Sequence, residues 1–401
     1  MLVIKAFYNL SYMADSHKTS QKKILILSVS AGAGHGRAAE ALRAQALLDY
    51  PQIEVKHVDV MQYATAAFRK VYTDFYLHLV NKAPSLWGYL YNYSNEAKPD
   101  SSLERLRRAI ERWNAHALWK FIQEFSPDAI ICTHFLPAEI LSRLHARAEI
   151  AYPVWVQVTD FDLHRMWVHQ HMQGYFAANE EVAFRMRAQG IGEQEIAVTG
   201  IPIMPAFTRA PAREVCAQEL GCDPGKLTLM LMSGGAGVGD MAGLAEKILE
   251  MSMTENATDF QLIVLTGKNQ LAFQQLTTLV PKYPGRLFPI GFSSQVERLM
   301  SCTDLIVTKP GGLTTSECLA MGLPMIVNAP IPGQEERNAD YVIESGAALK
   351  AVDESALLFR IQHLMTQPEK LRSMRDRALA IARPDAARDV LQRVVNQLEA
   401  A

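Results

Sequence analysis

An α/β protein built from two doubly wound domains is predicted by three features of the sequence. At 401 residues the chain is too long for one ordinary core. Short apolar strands alternate with helices along most of its length, and the pattern restarts near Lys226. Small-residue loops follow several strands, as in parallel sheets covered on both faces whose carboxyl edges hold ligands.

The first domain opens on a buried strand from Lys23 to Val29, then the loop Ser30-Ala-Gly-Ala-Gly-His-Gly, with a helix expected from Arg37. Strands are predicted at Ile53–Asp59, Ala129–Thr133, Val154–Thr159 and Gly174–Ala177, and helices at Leu103–Phe125, Pro137–Arg147 and Glu180–Gln189. Thr199-Gly-Ile-Pro-Ile-Met-Pro-Ala-Phe, with its glycine and two prolines, reads as the connector between domains. The second domain begins with the strand Lys226–Met232 and the helix Met241–Met251, followed by strands at Phe260–Leu265, Arg286–Ile290, Asp304–Val307 and Pro324–Val327. The resulting division is a leader over 1–21, expected to be disordered, a domain over 22–200 and a second over 201–384. A final helix, Asp385–Glu399, has apolar positions at Val390, Leu391, Val394, Val395 and Leu398; it closes the second domain or crosses back to the first.

Bulk properties exclude several classes. Apolar residues make up 49% and charged residues 20%, which describes a soluble globular protein. The net charge of −2 gives no reason to expect a nucleic-acid partner. The five cysteines are scattered without a C-x-x-C pair and read as reduced thiols. No apolar run is long enough for a transmembrane helix, and the amino terminus, broken by Lys5, Asn9 and Ser11, makes a poor signal peptide. A cytoplasmic location with contact limited to a membrane surface is expected.

The richest stretch is 308–338. A strand runs into Lys309-Pro310-Gly311-Gly312, and a helix is expected from Leu313 or Thr314. Two glycines permit close backbone approach, and the helix N-terminus that follows suits a phosphate. One helix later, Gln334, Glu335 and Asn338 place hydrogen-bonding side chains at a neighbouring strand end. A nucleotide-sugar needs both. Ser233 and Gly234 open another small-residue loop after a strand, without the Lys-Ser/Thr ending of a P-loop. Gly291 and Phe292 follow a further strand, where backbone and ring suit a base edge.

In the first domain, Gly34 and His35 stand at a glycine-rich loop that opens a helix. A neutral imidazole there is a candidate general base, kept unprotonated by the helix dipole, or alternatively a residue that only orients substrate. Asp160, at the end of the strand Val154–Thr159, is a second base candidate or a holder of the acceptor hydroxyl. His164 and Trp167 follow it, as packing or as part of an acceptor site. His164, His169 and His171 have no carboxylate or cysteine at compelling ligand spacing, so no metal site is expected. Residues 68–93 concentrate aromatics, among them Phe68, Tyr72, Phe75, Tyr76 and Trp87, the first four of which fall in a helical stripe. Such a stripe packs on the sheet or lies at a lipid headgroup interface.

The motifs S-x-G-A-G-H, V-T-D-F-x-x-H-x-x-W and T-K-P-G-G-L-T-x-x-E…P-I-P-G-Q-E-E-x-N resemble glycosyltransferase family 28, in its branch of monogalactosyldiacylglycerol synthases and processive diacylglycerol glucosyltransferases. The resemblance runs from about Lys23 to Ala347. It implies a GT-B fold of two Rossmann-like domains facing across a cleft, with the last helix returning to the first domain. It implies inverting, metal-independent transfer of a hexose from UDP-glucose or UDP-galactose to diacylglycerol, without a cofactor, at the cytoplasmic membrane surface and with anionic lipid as a further partner. The turn at Pro310–Gly312 with Leu313 and Thr314 would hold the diphosphate, Glu317 the ribose, and Gln334 and Glu335 the sugar, with Asn338 in support. Ser233 would approach the phosphate and Gly291-Phe292 the uracil. His35 would sit by the acceptor hydroxyl with Asp160 near it, and the 68–93 segment would dock the lipid. The first loop departs from the plant-type pattern in reading Ala-Gly-Ala-Gly-His rather than a run of glycines. Other readings are a UDP-N-acetylglucosamine transferase acting on a polyprenyl-linked or lipopolysaccharide-type acceptor, a non-catalytic UDP-sugar sensor, and a UDP-sugar epimerase.

Overall fold

A computed structural model describes residues 21–30, 32–65, 69, 116–232, 240–251 and 259–400. The leader and most of the aromatic 68–93 segment lie outside these residues. In the first domain, β1 (Lys23–Ser28), β2 (Glu54–Asp59), β3 (Ala129–Cys132), β4 (Val154–Gln157), β5 (Gly174–Ala177) and β6 (Ile196–Val198) form one parallel sheet in the order β2-β1-β3-β4-β5-β6. β1, β3, β4 and β5 are almost wholly apolar and buried on both faces, which is what a doubly covered parallel sheet requires. Helices α1 (Ala33–Asp49), α2 (His116–Phe125), α3 (Phe135–Ala146) and α4 (Glu180–Ala188) cover it.

The second domain repeats the design. β7 (Leu227–Met232), β8 (Phe260–Leu265), β9 (Leu287–Ile290), β10 (Leu305–Thr308), β11 (Met325–Asn328) and β12 (Ala348–Ala351) are parallel in the order β12-β11-β10-β7-β8-β9. Its helices are α5 (Arg213–Leu220), α6 (Met241–Met251), α7 (Gln270–Leu279), α8 (Val296–Ser301), α9 (Gly312–Ala320), α10 (Gln334–Glu344), α11 (Glu354–Met365) and α12 (Pro368–Ile381). In each sheet the chain reverses its winding direction once, between β1 and β3 and between β7 and β10. Those reversals open crevices at the strand carboxyl ends, where α/β proteins bind ligands.

The last helix, α13 (Ala386–Ala400), belongs to the first domain's core. Val390, Leu391, Val394, Val395 and Leu398 are buried with Ile24, Ile26, Leu42 and Trp155 of β1, α1 and β4. The crossing passes over Gly200, whose φ of 92° and close contact with the Arg383 side chain leave no room for a Cβ. Leu391 is fully buried. Leu391→Ala is expected to destabilise the first domain by about 2–5 kcal/mol in urea unfolding.

Three helices begin earlier than their sequence suggests, among them α3, at Phe135 rather than Pro137. α1 starts at Ala33 rather than Arg37, so Gly34, His35 and Gly36 form its first turn instead of a preceding loop. α9 starts at Gly312 rather than at Leu313 or Thr314.

Candidate active site

The two domains meet through the carboxyl ends of β1, β3 and β4 on one side and α9 and α10 on the other. Gly312, the first residue of α9, lies so close to the Thr159 carbonyl that a Cβ would overlap it. The N-cap of α9 is Gly311, which offers no side-chain hydrogen bond, so the first-turn N–H groups are not taken by their own cap. Leu313 and Thr314, both partly exposed, follow in that turn, after the buried Pro310. A helix end of this kind is suited to an anionic diphosphate.

His35 sits in the first turn of α1. Its Nδ1 is 3.1 Å from the Thr133 carbonyl oxygen and 2.8 Å from Thr159 Oγ1. A carbonyl only accepts, so Nδ1 carries the proton and Nε2 is left with a free lone pair. Thr133 Oγ1 also donates to the His35 carbonyl at 3.0 Å, which holds the turn. The ring packs edge-on against His134 at 4.5 Å between centroids and lies 6.1 Å from Trp167. Although part of the residue reaches the cleft, protein atoms surround the imidazole and lower its pKa to about 4; the Thr133 carbonyl opposes this weakly. Burial rather than the helix dipole therefore keeps it neutral. A Cβ on Gly34 would meet nothing within 4 Å, so open space lies beside the turn.

Asp160 is placed differently from its sequence expectation. It is 5% exposed, and its Oδ1 accepts from Gln334 Nε2 at 2.7 Å and Asn338 Nδ2 at 3.4 Å, both from α10 of the other domain. Burial raises its pKa to about 6 against the pull of those two amides. Asn338 is fully buried and also accepts from the Phe161 N–H at 2.8 Å. Its amide is thus used in joining the domains and is not turned toward a sugar. Asp162 pairs with Arg337 of α10 at 3.2 Å and with Arg185 at 2.9 Å, and the Phe161 ring stacks on Tyr341. Residues 159–162 thus form a cross-domain junction.

Glu317 projects from α9 as a buried carboxylate whose pKa rises to about 7, chiefly through burial. Glu335 accepts from the Ile331 N–H at 2.7 Å and its carboxyl approaches Gly311, so it ties the second loop to the first. Lys309 lines a cavity of about 380 Å³ with Thr308, Asn328 and Asp353 at the ends of β10, β11 and β12. Gly291 follows β9 next to open space, and Phe292 is 69% exposed.

Comparison with known proteins adds the family. Residues 35–203 match the model for monogalactosyldiacylglycerol (MGDG) synthase, and residues 228–391 match the glycosyltransferase family 28 C-terminal domain. The chain belongs to glycosyltransferase family 28, in its monogalactosyldiacylglycerol synthase branch. It is 28% identical to the processive diacylglycerol beta-glucosyltransferase of Bacillus pumilus over 94% of this chain and 96% of the relative. The namesake of Bacillus cereus is 29% identical over 93% of both chains. Among crystal structures, Acinetobacter baumannii MurG superposes with a TM-score of 0.55 at 14% identity, covering 95% of this chain and 100% of the other. UDP-GlcNAc 2-epimerase of Neisseria meningitidis bound to UDP-GlcNAc gives 0.59 at 16%, covering 93% and 100%. The fold of this glycosyltransferase is GT-B.

Within the glycosyltransferase, the structure brings His35, Asp160, Gly312, Glu317, Gln334 and Glu335 to one cleft. Ser233 and Gly234, and Phe68, Tyr72, Phe75, Tyr76 and Trp87, lie outside the described residues. The acceptor or membrane role expected of His164 and Trp167 does not fit their positions. Each is 2% exposed: His164 Nδ1 caps a short 3₁₀ turn by accepting from the Met166 N–H, and Trp167 is core packing behind His35 and Phe135. A buried side chain cannot face lipid. Sequence reasoning missed Thr133 and His134, although Thr133 ends a predicted strand and His134 follows it, where functional groups concentrate in this class of fold.

The hydrogen bonds on Asp160 yield a test of its role. Asp160→Asn keeps a carbonyl able to accept from Gln334, whereas Asp160→Ala does not. If Asp160 joins the domains, the Asn variant is expected to retain about tenfold more kcat/KM than the Ala variant, the worth of about one hydrogen bond. Equal loss in both variants would make the carboxylate itself the base.

Proposed function

We propose that this UDP-sugar glycosyltransferase, whose relatives are named for glycosylating diacylglycerol, transfers glucose or galactose from the UDP-sugar to the diacylglycerol hydroxyl with inversion and without a metal ion, at the cytoplasmic face of the membrane. The observation that carries this reading is the meeting of the His35 turn with the N-terminus of α9 across the cleft, by way of Thr159, which bonds His35 and abuts Gly312.

On this reading the diphosphate lies on the first turn of α9, with Glu317 on the ribose and Gln334 and Glu335 on the sugar. Nε2 of His35 takes the acceptor hydroxyl proton as the hydroxyl oxygen forms its bond to C1 from the face opposite UDP. The C1–O bond to UDP breaks, and its electrons pass to the β-phosphate oxygen. Negative charge then grows where pre-aimed N–H groups already point, which stabilises it without reorganisation and supports a mechanism needing no metal. The low pKa of His35 suits late proton transfer, because the acceptor proton becomes strongly acidic only as the new C–O bond forms.

The test is the anomeric configuration of the lipid product, read by NMR after reaction with UDP-glucose or UDP-galactose and repeated with EDTA. A β-linked product formed at the same rate with chelator is expected. An α-linked product, or loss of turnover restored by a divalent ion, would refute the proposal.

A further inference from the structure

Glu317 is a buried carboxylate with little to hold it. Its side chain is 7% exposed, and among the described residues no hydrogen-bond donor reaches its carboxylate oxygens. A charge so placed is costly unless paired. Its cationic partner comes from the other domain: Nη2 of Arg37, on α1, lies 3.9 Å from Glu317 Oε1. Arg37 is two residues past His35 on the same helix, and its side chain is 40% exposed toward the cleft.

We propose that Arg37 is a positioning residue of the donor site, whose guanidinium reaches across the cleft to hold and orient the Glu317 carboxylate on which the ribose hydroxyls hydrogen-bond. The inference rests on the reading of Glu317 as the ribose-binding group. At 3.9 Å the pair is electrostatic rather than hydrogen-bonded, so the carboxylate lone pairs stay available to two hydroxyls. Because α1 carries both Arg37 and His35, a nucleotide seated on Glu317 also fixes the histidine helix against the donor. The other titratable groups facing the carboxylate are Glu297 of α8 and Cys318 of α9. Glu297 disfavours ionisation of Glu317 and Arg37 favours it, so the arginine's contribution has a definite sign.

The experiment is UDP binding by calorimetry on the full chain from about pH 6 to about pH 8.5. Wild type, Arg37→Gln, Arg37→Lys and Glu317→Gln are compared. Wild-type affinity is expected to weaken as pH falls through about 7, where Glu317 takes up a proton. In Arg37→Gln the same limb moves to higher pH, so UDP binds about tenfold more weakly near neutrality and recovers as pH rises, and Arg37→Lys restores the wild-type limb. Glu317→Gln binds weakly at every pH. An Arg37→Gln variant with the wild-type limb, or one equally weak at all pH values, overturns the role of Arg37. A Glu317→Gln variant with wild-type affinity overturns the ribose assignment itself, whatever Arg37 does.

Discussion

Replacing His35 with alanine is expected to lower kcat by about 10²–10⁴-fold while UDP affinity stays within about threefold of wild type. The magnitude follows from what the imidazole supplies as the proposed general base. Its Nδ1 is committed to the Thr133 carbonyl and Thr159 hydroxyl, so the tautomer is fixed and Nε2 is the basic atom. Removing the ring removes that proton acceptor and leaves a gap against His134 and Trp167, without touching α9. His35→Gln gives the sharper comparison, since the amide fills much of the space but takes no proton. It is expected to be nearly as inactive as alanine. A Gln variant close to wild type would make His35 an orienting group and move the base elsewhere. Because His35 is half protonated only near about pH 4, its own titration should not limit activity at neutral pH. An acidic limb between about 6 and about 7 would instead come from the buried carboxyls of Asp160 and Glu317, which are raised to about those values.

Gly312→Ala is expected to be almost as damaging, at about 100-fold or more in kcat/KM, for a different reason. A Cβ at Gly312 would overlap the Thr159 carbonyl, a backbone group that cannot swing aside as the nearby Ile201 side-chain tip can. The domains must part, and a displacement of about 1 Å at the reacting atoms suffices for a loss of this size. Gly312 is helical, so alanine there suits the local backbone and the donor domain should fold normally. The signature is therefore a large catalytic defect with an unchanged melting temperature of the second domain. Gly311→Ala serves as the control: its Cβ would meet only a Glu335 carboxyl oxygen at 3.8 Å, an ordinary contact.

Both sheets were legible because parallel strands buried on two faces write themselves as short apolar runs, as in Ile24–Leu27 and Leu262–Leu265. The edge strands β6 and β12 carry no such run; they are three and four residues long and half-exposed in part, and Lys350 interrupts β12. The start of α1 was obscured by Gly34 and Gly36, which disfavour helix locally. Long-range bonds from Thr133 to the first turn hold it nonetheless. The proposed donor side is compact in the chain, since Gly311, Gly312, Glu317, Gln334 and Glu335 lie within 25 residues of one another. The roles of Asp160 and Asn338 could not be read from the chain. Each looked like a group facing a substrate, and only the closed arrangement of the domains reveals that they bond to each other. Arg37 was hidden for the same reason, because its partner lies 280 positions away, by the difference between 317 and 37.

On the proposed function, the donor cradle on α9 and the histidine on α1 serve one transfer to a lipid hydroxyl. That function is tested most directly by incubating the purified protein with UDP-glucose or UDP-galactose and diacylglycerol vesicles, measuring UDP release together with the mass of the lipid. UDP is expected to appear only when the vesicles contain diacylglycerol, matched by lipid products heavier by one or more hexose units. Absence of lipid-dependent UDP release with either donor, or UDP release with an unmodified lipid, would contradict the account.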